Sequence, residues 1–331
     1  MARRLAEEVL GLVKPRFVKK QIESLGRLSA RRDLYRQIQR KGFPPVLWSK
    51  GYAAFAEQNG GLKEAMGRTE KRWTLDQFLS LYDETASSYW IPLTSSANAG
   101  RTSPLDWFAE YVLPKIEQPF VLITTDGDAS VPASFKVHTL HKLLQNEYLE
   151  LWYSQNITEI NYSPKLRGLP IGLDIHRKRS GLVGWDLFNR IRDIAVESVN
   201  KEEVAVVDFC LNRNSESRRY LCEHLQGNNN FLMLSTPLDQ LELWRLYSKS
   251  RYVISPEGVG PDCHRTWEAL YLGASVICKD VGLGHLYKNL PVYEVSSWKE
   301  ISDPNFFRRI KNSPRGCQSL WDFPPEKWMT E

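Results

Sequence analysis

Several things are missing from this chain of 331 residues. No stretch of about 18 uninterrupted apolar residues occurs, so no segment is expected to cross a bilayer as a helix. The five cysteines, at 210, 222, 263, 278 and 317, form no CxxC pair and show no metal-ligand spacing. Their odd number argues against a disulfide framework. A G-x-x-x-x-G-K-[ST] phosphate loop is absent, which counts against most kinase and sulfotransferase readings. The N-terminal MARRLAEEVLGLVKPRF is basic, but Glu7 and Glu8 interrupt any signal-peptide core. A cytoplasmic location is therefore expected, and the sequons at Asn156 and Asn161 read as chance.

What is present is an ordinary globular composition, 42% hydrophobic and 25% charged, which excludes a disordered chain. The length suits one large or two medium domains. Net charge is +5, unevenly placed: residues 1–50 hold thirteen Lys/Arg against four Asp/Glu. Such a segment suits a solvated helical face, or peripheral contact with an anionic membrane. Interleaved aromatic and basic residues of a nucleic-acid surface are not evident, so no nucleic-acid partner is expected.

Periodicity predicts basic amphipathic helices at 5–13 and 30–40, then helices at 74–83 and 104–116, the last started by Ser103-Pro104. Gly and Pro punctuation with weak periodicity fills 42–72. "PFVLITTDGD" reads as a buried strand over 119–125 ending in an Asp-Gly turn. A helix at 135–145 and strands near 149–154 and 166–171 follow. The polar HRKRSG, 176–181, reads as a crossing linker to a helix over 184–199. Beyond it, strands at 202–211, 230–235, 251–256, 274–279 and 290–295 are expected. Helices at 215–225, 238–250, 262–273 and 304–312 complete the alternation. This pattern implies an α/β protein with two Rossmann-like domains facing a cleft. The expected division is a basic helical segment, 1–50, an α/β domain, 51–180, and a second, 181–331, with the last helix allowed to pack back on the first.

The segment SPEGVGPDCHRTWEALYLGASVICKD, residues 255–280, carries the chemistry. Glycines at 258 and 260 suit unusual backbone angles or close approach. Asp262 stands where an N-cap is expected, so the next helix presents free N–H groups, which attract phosphate. His264 and Glu268 share one helical face, and Arg265 and Glu268 can pair. His264 or Arg265 suits phosphate oxygens, and Glu268, an acceptor-only carboxylate, suits vicinal ribose hydroxyls. The plainer reading is an intrahelical ion pair beside a satisfied core histidine.

That segment resembles the nucleotide-sugar motif of the exostosin-like glycosyltransferases, in particular the compact bacterial, algal and large-virus type. The likeness is tight over about 25 residues and loose over about 180, and it leaves the first hundred residues uncovered. It implies the two-domain glycosyltransferase fold called GT-B, with residues 51–180 on the acceptor side and 181–331 binding the donor. It places Glu268 on the donor ribose and Gly258, Gly260, His264 and Arg265 around the diphosphate, with Ser255, Glu257 and Asp262 in the same segment. An Asn-x-x-x-Arg arrangement in the likeness matches Asn214 and Arg218; Arg213 and Arg219 compete.

An inverting transfer needs a general base for the acceptor hydroxyl. Asp126 and Asp128, just past a strand's carboxyl end, are the first candidates, an Asp-x-Asp metal site and an Asx turn being the other readings. His176, in a P-I-G-x-D-x-H run shared with the compact relatives, is the fallback base. His138 and His141 read as packing residues, and Trp90, Trp107 and Trp152 include potential sugar platforms. The resulting expectation is sugar transfer from a UDP- or GDP-sugar to a hydroxyl of a glycan or glycolipid, with inversion. No further cofactor and no metal are required. The alternative is a nucleotide-sugar or glycan-binding protein without catalysis.

Overall fold

The structure is a computed structural model that describes residues 29–61, 66, 73–95, 103–197, 200–209, 216–312 and 319–329. The chain is α/β. Its described strands are β1 (Ser88–Pro92), β2 (Phe120–Thr125), β3 (Leu149–Gln155), β4 (Leu166–Leu169), β5 (Glu202–Val207), β6 (Phe231–Met233), β7 (Ser250–Ile254), β8 (Ser275–Lys279) and β9 (Val292–Val295). The helices are α1 over 29–41, α2 (Leu75–Leu79), α3 (Pro104–Trp107), α4 (Val137–Gln145), α5 (Trp185–Glu197), α6 (Glu216–Leu225), α7 (Gln240–Lys249), α8 (His264–Tyr271), α9 (Phe306–Asn312) and α10 (Pro325–Trp328).

The strands form two parallel sheets, ordered β1-β2-β3-β4 and β6-β5-β7-β8-β9. In the first, each strand lies beside its predecessor, and the register pairs Leu122 with Tyr89 and Trp152. In the second, the chain leaves β5 to one side for β6 and returns to the other side for β7. Between β5 and β7 the strand order therefore reverses, the position at which open parallel sheets bind ligands beyond their carboxyl ends. These are two Rossmann-like units.

Burial follows the expected patterns. Helix α1 buries Ala30, Leu34 and Ile38 and exposes Arg32, Arg36 and Arg40, so the basic helix at 30–40 is amphipathic. The helix expected at 5–13 lies outside the described residues. One core group runs through both sheets and α1, from Trp90, Ile123 and Tyr153 to Val206, Val253 and Val276. Two further groups cover the outer faces of the sheets.

Three expectations need correction. Strand β1 was not signalled: SYWIP is five residues long and ends in Pro92, which an edge strand tolerates. The helix expected over 104–116 is α-helical only at Pro104–Trp107; it widens into a π-type turn at Phe108–Val112 and tightens into a 3-10 turn at Leu113–Lys115, around Pro114. Proline lacks the N–H that would continue the ladder. The helix expected over 74–83 is confined to Leu75–Leu79, started by a Thr74–Gln77 capping box.

The units meet through loops at their carboxyl ends. Ile171, after β4, donates its N–H to Asp262 Oδ2 at 2.7 Å, and the Asp262 N–H reaches Asn156 Oδ1, after β3, at 3.3 Å. A Cβ on Gly260, after β7, would stand 3.2 Å from the Asp128 backbone, after β2. The C-terminal segment also spans the units. Tyr153 Oη of β3 donates to the Met329 carbonyl at 2.6 Å, and Trp328 stands edge-on to Trp267 of α8. No helix among the described residues is long and apolar enough to cross a membrane.

Candidate functional site

The seam between the carboxyl ends of the two sheets gathers most of the candidate residues. On the second unit, β7 runs into Ser255, whose hydroxyl shares a 2.8 Å hydrogen bond with Thr266 Oγ1 of α8. Both groups are buried, so Ser255 fastens strand to helix and is not turned to a ligand. The turn from Glu257 to Gly260 is closed by a 3.1 Å bond from Gly258 N–H to Gly260 C=O. Neither glycine lies at positive φ, so unusual backbone angles are not what this turn requires. Close approach is: at Gly260 it is the Asp128 backbone, and at Gly258 a Cβ would meet Cys263 Sγ at 3.4 Å and Arg218 Nη2 at 3.5 Å.

Asp262 does not cap α8. The N-cap is Cys263, and Asp262 is a buried fastening point between the units. Its carboxylate accepts from Ile171 N–H, Cys263 N–H and Trp267 Nε1, the last at 2.8 and 3.0 Å to the two oxygens. Burial pushes its pKa up to about 6, against the pull of those donors. The end of α8 is therefore partly occupied by the protein's own carboxylate.

Arg265 was expected to pair with Glu268 or to meet phosphate. It binds Asp208 Oδ1 instead, at 2.5 Å, just beyond β5. Burial opposes its charge, but Asp208 outweighs it and holds the guanidinium above its ordinary range. This pair sits at the strand-order reversal, between the ends of β5 and β7. Arg218, in the first turn of α6, is buried beside the glycine turn. Its Nε donates to the Glu257 carbonyl at 3.1 Å, and its guanidinium lies 5.8 Å from the Phe209 ring. Glu257 also binds Ser217 Oγ. Asn214 lies outside the described residues.

Glu268 is buried, and Gln240 Nε2 of α7 donates to its Oε2 at 3.2 Å. Burial raises its pKa; His264, the Trp244 indole and Arg179 pull the other way, and Asp174 adds to the rise. His264 points back to the first unit, its Nδ1 2.7 Å from the Gly172 carbonyl.

On the first unit, the segment Gly172–Arg179 faces α8. Gly172 sits at φ 64°, where a Cβ would strike the Leu47 carbonyl at 2.0 Å. Asp174 is 3% exposed and is ion-paired to Arg179, with Arg177 Nε at 3.8 Å and His176 Nδ1 at 3.4 Å. Burial alone would raise the Asp174 carboxyl; His176, His264, Arg179 and Arg177 outweigh it and hold it well below the usual carboxylate range. Burial drives His176 down to about 4, with Asp174 opposing, so its imidazole is neutral at physiological pH. The His176 and His264 rings lie 6.0 Å apart.

Asp126 and Asp128 part company. Asp126, at φ 61°, turns inward onto the buried Lys50 amine. Its carboxylate is thereby committed to Lys50. Asp128 is exposed and lies against Gly260. Among the described residues, no group of three or more His, Cys, Asp or Glu side chains is placed to hold a metal ion. His138 and His141 lie on α4, and Trp90 and Trp152 are fully buried with their indole N–H groups on Thr125 and Thr124, so neither ring is a sugar platform.

Sequence reasoning missed Lys50, Asp208, Gln240 and Arg179. Asp208 fell inside the strand expected over 202–211; β5 ends at Val207, and a charged residue after the apolar run was a signal that could have been used. The other three come from loops or a distant helix end, and no local pattern links them to α8.

No family model and no curated protein matches this chain. Among solved structures, it is similar to AviGT4, a glycosyltransferase involved in Avilamycin A biosynthesis. That match has 13% identity, a TM-score of 0.34, and covers 77% of this chain and 82% of that one. An alpha-glucosyltransferase in complex with UDP-glucose and DNA containing an abasic site matches at 12% identity, TM-score 0.34, with the same coverages. An alpha-glucosyltransferase in complex with UDP and DNA containing a HMU base matches at 13% identity and TM-score 0.34, over 80% of this chain and 79% of that one. The two parallel sheets with apposed carboxyl ends, and not these likenesses, define the fold.

Proposed function

We propose that the chain is a glycosyltransferase of GT-B type that takes a nucleotide diphosphate sugar as donor and a hydroxyl of a glycan or glycolipid as acceptor. One observation carries the reading. Arg218, the glycine turn, the first turn of α8 and Glu268 converge where the second sheet reverses its strand order, facing the loops of the first. Arg218 and the N–H groups opening α8 supply counter-charge for a departing diphosphate. Arg265, committed to Asp208, fixes the α8–β5 geometry. Glu268, oriented by Gln240, accepts from the ribose hydroxyls.

Asp128 is the proposed general base. Its residue is exposed and its backbone lies against the glycine turn, and a sugar hydroxyl needs its proton removed as it attacks. The lone pair freed on that oxygen forms the new glycosidic bond while the bond to the diphosphate breaks, which inverts the anomeric carbon.

A thermal-shift series with UDP-, GDP-, dTDP- and CMP-sugars tests the donor site, because a ligand bound to the folded state raises the melting temperature by mass action. A diphosphate donor is expected to raise it, a CMP-sugar is not, and Glu268→Ala is expected to abolish the response. Asp128→Asn is expected to keep the shift and lose transfer at least about a hundredfold. Absence of any response to all four nucleotides would overturn the reading.

A further inference from the structure

The crossover Gly172–Arg179, which carries the first unit's chain toward the second, holds a concentration of buried polar atoms without hydrogen-bond partners. These are Asp174 Oδ1, His176 Nδ1 and Arg179 Nε. The first two face each other at 3.4 Å without the geometry of a hydrogen bond. Buried polar groups are rarely left so, because each one carries an uncompensated desolvation cost until an acceptor or donor arrives. One acceptor and two nitrogens within six residues suit a ligand rich in hydroxyls, since a hydroxyl donates and accepts at once.

The charges around these atoms cancel. Arg179 and Arg177 face Asp174 and, at Arg179, also Glu268; Lys50 pairs with Asp126, and His176 is neutral. The second unit differs, since Arg218 sits beside the turn proposed for the diphosphate. The segment is also placed where the sugar must go. His264 of α8's first turn binds the Gly172 carbonyl, and the His176 ring stands 6.0 Å from it. A donor anchored on α8 by its diphosphate directs its sugar across the seam at Gly172–Arg179.

Resting on the donor reading above, we infer that Asp174, His176 and Arg179 form the subsite for the transferred sugar, and that this sugar is neutral. An acidic sugar would set its carboxylate beside an Asp174 whose charge Arg179 already balances. It would gain no unpaired cation and lose hydration, and like-charge contacts of this kind are what specificity is built on.

The test is competition binding of UDP-glucose against UDP-glucuronate, with UDP as the sugar-free control; GDP-mannose, GDP-mannuronate and GDP replace them if the thermal-shift series selects guanosine. The wild-type chain is expected to prefer the neutral sugar by about tenfold or more. Asp174→Asn, which leaves Arg179 unpaired, is expected to shrink that preference at least about fivefold, with affinity for UDP held within about twofold. Arg179→Gln, which takes the nearer cation from the carboxylate, is expected to widen it. A merely structural role for Asp174 would weaken all three ligands alike. If Asp174→Asn does not fold, Arg179→Gln decides: a wider preference supports the subsite, an unchanged one overturns it. A wild-type ratio near one overturns the inference alone, provided UDP still binds and Glu268→Ala abolishes its binding. Failure of UDP and GDP to bind overturns the donor reading, and the subsite with it.

Discussion

The two sheets are built on one plan and do different things at their carboxyl ends. The first runs β1-β2-β3-β4 without reversal, and its buried charges are met by ion pairs, Lys50 with Asp126 and Arg179 with Asp174. The second reverses between β5 and β7, and that point collects Arg218, the Arg265–Asp208 pair and the opening of α8. A reversal parts the loops of neighbouring strands to opposite faces of the sheet and leaves a crevice, which a sheet wound in one direction does not have. Ligand chemistry on the first unit therefore has to come from loops that are locked from outside. Their glycines show it. A Cβ on Gly127 would lie 1.6 Å from the Leu93 carbonyl and one on Gly172 2.0 Å from that of Leu47, whereas the glycine turn of the second unit leaves 3.2 Å at Gly260 and 3.4 Å at Gly258.

The strongest way to break this contrast is to replace those glycines. Gly127→Ala and Gly172→Ala are expected to cost about 3 kcal/mol or more, because backbone must move in both cases and Gly172 also leaves its left-handed φ. Gly260→Ala is expected near about 1 kcal/mol and Gly258→Ala below about 0.5 kcal/mol. Urea unfolding of the four variants gives the order, and equal costs at Gly172 and Gly258 would erase the distinction.

A second, smaller contrast concerns pH. His176, on the first unit, has its folded pKa lowered to about 4 from 6.5. The stability it contributes is present above pH 6.5 and is lost as pH falls toward 4. Asp262, on the second, is raised to about 6 from 3.8. Its contribution is present below pH 3.8 and is lost as pH rises through 6. Urea titrations between pH 4 and 7 are expected to show His176→Gln gaining on the wild type by about 1–3 kcal/mol at the acid end. Asp262→Asn is expected to lose least relative to the wild type at the neutral end. Parallel curves for all three proteins would remove the assigned causes.

The smallest effect is expected on α1. The Arg36–Asp33 pair has side chains 66% and 45% exposed, so Arg36→Ala is expected to change stability by less than about 0.5 kcal/mol. Thermal unfolding at two salt concentrations checks this.

Legibility in the sequence also divided along the sheets. Strands β5 to β9 and helices α6 to α9 were readable because apolar β-branched runs alternate there with amphipathic helical periods. The first unit was read less well: β1 carries no alternation and ends in proline, and the stretch after Ser103 looked like one helix until Pro114 and the π-type turn divided it. The candidate site was readable as a segment but not as a set of contacts. Asp262 looked like a cap and Arg265 like a partner for Glu268, since spacing along a helix is all that one segment can show.

By itself the sequence determined two alternating α/β halves, the basic amphipathic α1, and the segment from Ser255 to Gly273 as the place where polar groups crowd a helix meant for burial. Those are local properties, set by periodicity and by what each residue type costs to bury. Only the tertiary structure decided that Arg265 answers to Asp208, that Asp262 ties α8 to Ile171 and Asn156, and that Gly172 and His176 stand opposite His264 of α8. Those pairings join residues tens to more than a hundred positions apart, and a buried charge takes as partner whichever group the packed sheets bring within a few ångströms, not the one nearest in the chain.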